Sequence, residues 1–340
     1  MVVHNRAEDL PRTLRSLEVQ TVEDVEMVIV DDGSDDGSWD IISDVEWAPL
    51  RAHRNRSRRG ESAALAQALE WSRGEIVALQ SAGDVSAPER LKRQSALLAN
   101  QKDLAAVGTA VDWVDGSGQV LHHVEPPIGH RALLRWLGRD DAYEPGLTYR
   151  SAMYRRTALE AAGGFDAAYE VGGQAGLWLR LSESGKLANL KDALYAALFD
   201  PDDGLVSRWA EWQAYAALAR QLADVQPPAP PPPGEEGDTL ILAEPEPSPV
   251  ALYYDTLGGA ARRAERAANY LHWAQTFDEW AGPAAEHSQD LWRRALGAWP
   301  FSRDVWAYAF RRREDDAPAD VEQAPEPAEA AEPPDEANEA

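Results

Sequence analysis

The chain has 340 residues, enough for one large domain or two smaller ones, each with a full hydrophobic core. It carries 58 Asp and Glu against 33 Lys and Arg, and the formal charge of −25 opposes contact with phosphate backbones and anionic lipid, so no nucleic-acid partner is expected. There is no cysteine, which removes disulfides, thiolate nucleophiles and sulfur-ligated metal clusters together.

In chain order, a helix is predicted over residues 8–19, where Leu10, Leu14 and Leu17 fall at i, i+4 and i+7. Met27-Val28-Ile29-Val30 is a short continuous apolar run, the pattern of a parallel strand covered on both faces. It ends in the acidic loop Asp31-Asp32-Gly33-Ser34-Asp35-Asp36-Gly37. A strand over 50–53, a helix over 62–71, a strand over 76–79 and a helix over 88–99 continue the alternation, which predicts an α/β sheet flanked by helices. Ligands of such sheets collect beyond the carboxyl ends of the strands, so the loops at Asp31 and at residues 81–84 are where a small molecule should bind.

The longest apolar stretch, Ala193 to Phe199, has seven residues. A bilayer span needs about 18 to 20, so no integral membrane span is expected. The opening Met1-Val2-Val3-His4-Asn5-Arg6 lacks a basic segment followed by an apolar one, and a cytoplasmic protein is expected.

Composition divides the rest. Residues 224–249 are Pro-rich, with an unbroken run from Pro230 to Pro233, and read as a stiff linker. Residues 250–313 place Trp273, Trp280, Trp292, Trp299 and Trp306 among Ala and Leu at helical spacing, a small helical segment through which a protein partner could dock. The sevenfold spacing of Trp292, Trp299 and Trp306 suits a sugar platform, but Pro300 interrupts it and core packing is the commoner use of such residues. Residues 314–340 hold eleven acidic and no basic residues and are expected to be disordered; without them the charge is still −14. The expected domains are therefore 1–223, 224–249, 250–313 and 314–340.

The run His4-Asn5-Arg6-Ala7, then Gln20-Thr21, then Val30-Asp31-Asp32-Gly33-Ser34 with Asp36-Gly37, resembles the start of a family-2 glycosyltransferase. Arg73 to Leu79, Pro88-Glu89-Arg90-Leu91 with Gln94, Met153 to Leu159, Gly163-Gly164-Phe165-Asp166 and Leu177 to Leu181 follow in the family's order. The resemblance covers about residues 1–200 and implies a GT-A fold with a nucleotide-diphospho-sugar donor. It also implies a divalent cation on an Asp-x-Asp pair and a carboxylate base in an inverting displacement. It implies nucleotide contacts from His4, Asn5, Asp31, Asp32, Ser34 and Asp84. The family's first strand has four or five more apolar residues before the position of Met1, so either the sequence begins late or the central strand is shortened.

The chemistry needs both parts, because a leaving diphosphate concentrates negative charge and a neutral hydroxyl is a weak nucleophile. Where the family reads Leu-Asp-Ala-Asp-Asp, this chain reads Gln80-Ser81-Ala82-Gly83-Asp84, so Ser81 and Gly83 replace the pair and Asp84 alone remains. A hydroxyl and a hydrogen are poor substitutes for anionic oxygen, and no metal ligand is expected. The base position is occupied by Gln174, in Gly172-Gly173-Gln174-Ala175-Gly176, and an amide cannot take up a proton near neutral pH. The family's Arg-Asn pair aligns with Leu65-Ala66, and its later Arg-x-His block is not visible at residues 199–203. His122, His123 and His130 are too loosely arranged for a metal.

The residues thus predict a pseudo-glycosyltransferase without catalytic residue or cofactor, binding a nucleotide or nucleotide-sugar, or scaffolding, in glycan assembly. Two alternatives stay open. One is an active inverting transferase that uses Mg²⁺ or Mn²⁺ with Asp84, with Glu170 as a displaced base, or with Asp200, Asp202 and Asp203. The other is a structural protein acting through residues 250–313.

Overall fold

The computed structural model describes residues 1–46, 49–137, 149–167, 174–200, 267–268, 270–276 and 286–298. Three parallel strands, β1 (Val2–Val3), β2 (Met27–Asp31) and β3 (Leu50–Arg54), lie in the order β1-β2-β3. A second, mixed sheet has the order β4-β8-β6-β9-β5. Its strands are β4 (Ile76–Ala78), β5 (Val85–Ser86), β6 (Leu104–Val114), β8 (Met153–Arg155) and β9 (Lys186–Leu198), and β7 (Val120–Val124) pairs with β6. One parallel bridge, Val2 to Ser81, joins the two sheets at β1.

The local patterns explain the packing. In α1 (Leu10–Glu18) the stripe of Leu10, Leu14 and Leu17 is buried against Met1, Val3, Met27 and Ile29. Every residue of β2 is buried, as its unbroken apolar run requires. On the opposite face α3 (Glu61–Trp71) lays Ala64 and Ala68 on Val28 and Val30, small side chains that bring the helix close to the strand. The helices α2 (Ser38–Ser43), α4 (Arg90–Asn100), α5 (His130–Leu137), α6 (Arg156–Ala161) and α7 (Gln174–Ser184) complete the layers around the sheets.

Predicted and observed element ends agree within two residues through α4. Beyond it the strands β6, β7 and β9 carried no prediction. The seven-residue run Ala193 to Phe199 lies almost wholly in β9, which pairs in parallel with β6 and antiparallel with β5. Among the Trp-rich residues, Trp273 is buried, with its ring 6.3 Å from that of Trp113 and 5.6 Å from that of Phe199, so it serves as core. In α8 (Glu286–Ala298) Leu291 and Ala295 are buried. The linker at 224–249 and the acidic tail at 314–340 lie outside the described residues. Among the described residues no helix is long and apolar enough to cross a membrane.

Candidate nucleotide site and metal loop

β1 and β2 end side by side, with Val3 opposite Asp31, and the loops that leave them are knitted together. The Asn5 N–H donates to Ser34 Oγ at 3.0 Å and the Asp35 N–H returns a bond to Asn5 Oδ1 at 2.9 Å. Two further rungs run from Arg6 N–H to Ser38 Oγ and from Ala7 N–H to Asp36 Oδ2. Asn5 takes φ +51°, a left-handed conformation that Asn tolerates better than most residues. Gly33, at φ +74°, lies so close to the 57–58 backbone that a Cβ would sit 2.7 Å from Ser57 C, so only glycine fits.

The two aspartates of this loop have different duties. Asp32 is buried and accepts from Asn55 Nδ2 and from the N–H groups of Arg59 and Gly60, all within 3.0 Å, which fixes the approach to α3. Its carbonyl accepts from His4 Nδ1 at 2.9 Å, so that nitrogen carries the ring proton. Asp31 is also buried, and its Oδ1 accepts the Ser34 N–H at 2.9 Å. Its Oδ2 accepts no hydrogen bond; Arg54 Nε lies 3.5 Å away as an ion-pair partner. His4, Asn5, Asp31, Asp32 and Ser34 therefore converge at the carboxyl ends of two adjacent parallel strands, where open α/β sheets bind ligands.

Asp84, the sixth residue of the expected nucleotide set, has other partners. It is buried: its Oδ2 accepts the Tyr195 hydroxyl at 2.8 Å, its Oδ1 accepts the Leu198 N–H at 2.9 Å, and Arg150 Nη1 stands 3.5 Å from both oxygens. Burial first and the neighbouring carboxylate second raise the Tyr195 phenol well above its ordinary range, so it remains a donor. The same phenol oxygen accepts the Ser81 N–H at 3.1 Å. The Gly83 N–H goes to Thr13 Oγ1 at 2.8 Å, and its carbonyl accepts from Arg12 at 3.1 Å.

These residues do not fit a divalent cation bridging to a diphosphate. Ser81 offers a neutral hydroxyl, Gly83 offers no side chain, and the anionic oxygens of Asp84 are bound to protein donors. Among the described residues no three or more His, Asp or Glu side chains come together as a metal set. His123 Nδ1 pairs with Asp112 at 2.6 Å, whereas His130 Nδ1 accepts the Leu187 N–H, so these histidines share no centre. Gly83 itself has φ +98°, and a Cβ there would lie 3.3 Å from Leu198 Cδ2. Gly83→Asp is accordingly expected to cost about 1 to 3 kcal/mol of backbone strain and to leave nucleotide binding indifferent to Mn²⁺, as thermal melts with and without the ion will register.

On the acceptor side α7 is held by buried Leu177, Trp178 and Leu181, by Trp178 Nε1 donating to the Tyr154 hydroxyl at 3.3 Å and by Arg180 Nε donating to the Ala162 carbonyl at 2.8 Å. Gln174 is its first residue. Glu170, Asp202 and Asp203 lie outside the described residues. Asp200 is described and accepts from the Arg6 guanidinium, which draws the end of β9 to the loop after β1. Arg54, Asn55, Arg150 and Tyr195 escaped sequence reasoning; they reach the site only by tertiary pairing, and no local pattern marks them.

Two sheets meeting at a short parallel strand, with candidate ligand loops at the carboxyl ends of β1, β2 and β4, make this a GT-A fold. Crystal structures of S. aureus TarS 1–349 in complex with UDP and with UDP-GlcNAc share it, each with a TM-score of 0.51, 17% identity and coverage of 87% of this chain and 78% of that one. The profile described as Glycosyl transferase family 2 matches residues 1–163, and that part of the chain belongs to the family. The uncharacterized glycosyltransferase alr2836 of Nostoc sp. is 33% identical over 120 residues, covering 35% of this chain and 37% of that protein. EpsE of Bacillus subtilis, which also carries a glycosyltransferase name, is 27% identical over 220 residues, or 59% of this chain and 72% of that protein. The match thus spans little more than a third of the Nostoc relative's length.

Proposed function

We propose that this chain binds the nucleoside diphosphate part of a nucleotide-sugar, has little or no transferase activity, and serves as a nucleotide-binding or scaffolding partner in glycan or polysaccharide assembly. The observation that carries this reading is the metal loop, where Ser81 and Gly83 stand in place of a carboxylate pair and Asp84 is engaged by Tyr195, Leu198 and Arg150. Without a cation on the leaving diphosphate and a base on the acceptor, several kcal/mol of transition-state stabilisation are missing. Turnover of a sugar nucleotide is then near background. Domain limits of 1–223, 224–249, 250–313 and 314–340 belong to the same proposal.

Nucleotide binding is supported by Asp31 Oδ2, a buried anionic oxygen with no hydrogen bond, at the end of the sheet where ligands collect. A ring N–H of a base is a suitable donor. Calorimetric titration with UDP and GDP is expected to give the same Kd with and without Mn²⁺. Asp31→Asn keeps an acceptor for the Ser34 N–H but loses the charge, and should weaken binding about tenfold, near 1.4 kcal/mol. A strong tightening by Mn²⁺ sinks the metal-free part of the reading; an Asp31→Asn protein with unchanged Kd sinks the assignment of the base pocket.

A second reading is an active inverting transferase with a non-standard carboxylate. Asp200, drawn against Arg6 beside the loop after β1, is the observation in its favour. It predicts release of UDP or GDP from a panel of donors and loss of that release in Asp200→Asn.

A further inference from the structure

In a chain with 25 more acidic than basic charges, one segment has the opposite balance. Arg51, Arg54, Arg56, Arg58 and Arg59 fall within nine residues, together with His53 and without an Asp or Glu. They occupy β3, an outer strand of the parallel sheet, and the loop that leaves its carboxyl end toward α3.

The arginines divide by what they touch. Arg51 is answered in place: its Nη1 lies 3.4 Å from Glu26 Oε2 and donates to the Trp71 carbonyl. Arg54 lies 3.5 Å from Asp31 and donates to the Ser34 carbonyl at 2.6 Å, yet its side chain remains 45% exposed. Arg56 and Arg58 are exposed and Arg59 is half-buried, and among the described residues their guanidiniums meet no ion-pair or hydrogen-bond partner.

The main chain explains why this basic loop keeps its form. The Asn55 N–H donates to Asp31 O at 2.8 Å and Asn55 Nδ2 to Asp32 Oδ1 at 2.9 Å, while the Arg59 and Gly60 N–H groups donate to the same Asp32 carboxylate. A buried carboxylate thus clamps both ends of the loop, and Gly33 lies against its middle at Ser57. A loop pinned in this way loses little further freedom when a partner arrives.

An anionic segment fits this surface, and the chain carries one. Residues 320–340 hold eight Asp and Glu, from Asp320 to Glu339, and no Lys or Arg. Glu314, Asp315 and Asp316 directly follow Arg311, Arg312 and Arg313, so the acidic stretch without basic neighbours in sequence begins at Asp320. Pro325, Pro327, Pro333 and Pro334 favour an extended chain and spread the carboxylates along it. The helix α8 ends at Ala298, 22 positions before Asp320. That length spans up to about 70 Å, against a diameter of roughly 45 Å for a folded body of about 200 residues. A separate polyanion has to approach against the field of the whole acidic chain, whereas an attached segment is held nearby at an effective concentration of about millimolar.

We propose that the loop at residues 54–60 is the docking surface for the chain's own acidic segment, residues 320–340, whose carboxylates pair with Arg56, Arg58 and Arg59 and, at one end, with Arg54. Each exposed pair is weak, and attachment to the same chain makes several of them together sufficient. No single register is required, because exposed arginines and carboxylates pair equally well in several. Since Arg54 also stands beside Asp31, the docked segment ends at the rim of the candidate nucleotide loops. The contact does not depend on nucleotide binding.

The chain has no cysteine, so Ala330→Cys gives the full-length protein a single thiol for a nitroxide label. At low salt the label is expected to bleach the amide resonances of Ser57 and Arg58. The bleaching should vanish at about 1 M salt, where charges are screened beyond about 3 Å. Arg56→Glu combined with Arg58→Glu alters two exposed side chains, so the urea midpoint should be kept while the bleaching disappears. Replacing the eight acidic residues of 320–340 by Asn and Gln leaves the loop itself untouched and should abolish the bleaching as well. Bleaching that persists at high salt or in either variant overturns the proposal, and so does its absence in the parent chain at low salt. If added polyglutamate then perturbs the same two amides, the surface belongs to separate polyanions instead.

Discussion

Asp84→Ala is expected to lower stability by about 3 to 5 kcal/mol and Tm by roughly 10 °C, the size seen when one member of a buried charge pair is removed. The carboxylate is fully buried, and its two oxygens serve the Tyr195 hydroxyl, the Leu198 N–H and the Arg150 guanidinium. Alanine leaves all three donors facing a void. Arg150, with a side chain only 8% exposed, then loses Asp84 as an ion-pair partner. Asp84→Asn keeps an acceptor for the Leu198 N–H and should cost about half as much. Urea unfolding separates this from a ligand role: a diphosphate or cation ligand would be lost without change in the midpoint, whereas a carboxylate that holds β9 to the metal loop moves it strongly. An Asp84→Ala protein as stable as the parent, but unable to bind UDP, would refute the structural assignment.

Arg90→Met is expected to have a comparable effect, about 3 to 5 kcal/mol, for a related reason. Arg90 is fully buried, and its guanidinium donates to Leu79 O at 2.6 Å, Ser86 Oγ at 2.8 Å, Gln80 Oε1 at 3.0 Å, and Ser151 O and Gln94 Oε1 at 3.1 Å. It also lies 4.7 Å above the centre of the Tyr195 ring. Burial lowers its pKa to about 10, which leaves it charged at neutral pH. The planar fork joins β4, the metal loop, β5 and the Tyr149–Ser151 turn in one network, and Gln80 in turn donates to the Asp84 carbonyl at 3.0 Å. Arg90→Lys should not rescue it, since an ammonium has three donors at one point and cannot reach five acceptors in a plane. A drop in the urea midpoint with unchanged slope in both variants is the expected result; full stability in the lysine variant would show that charge alone, not the fork, sustains the network.

Both predictions concern residues that belong to family motifs, yet the sequence alone did not reveal their duties. Asp84 looked like the survivor of a ligand set because it follows Gln80-Ser81-Ala82-Gly83, and only the fold shows that Tyr195, Leu198 and Arg150 claim its oxygens. Those partners lie between 66 and 114 residues away in the chain.

What the amino-acid order by itself determined was everything set by local repetition and by residue chemistry. The spacing of Leu10, Leu14 and Leu17 dictates a one-sided helix, the run Met27 to Val30 dictates a strand covered twice, and Ser81, Gly83 and Gln174 lack acidic oxygens in any conformation. These hold because a helix or strand repeats over a few residues, so the face it buries is written along its own length. Tertiary structure alone decided which donors meet Asp31, Asp32 and Asp84 and that Trp273 fills core against Trp113 and Phe199. A buried carboxylate takes whatever donors the packing of distant strands brings to it, and that packing is a property of the whole chain.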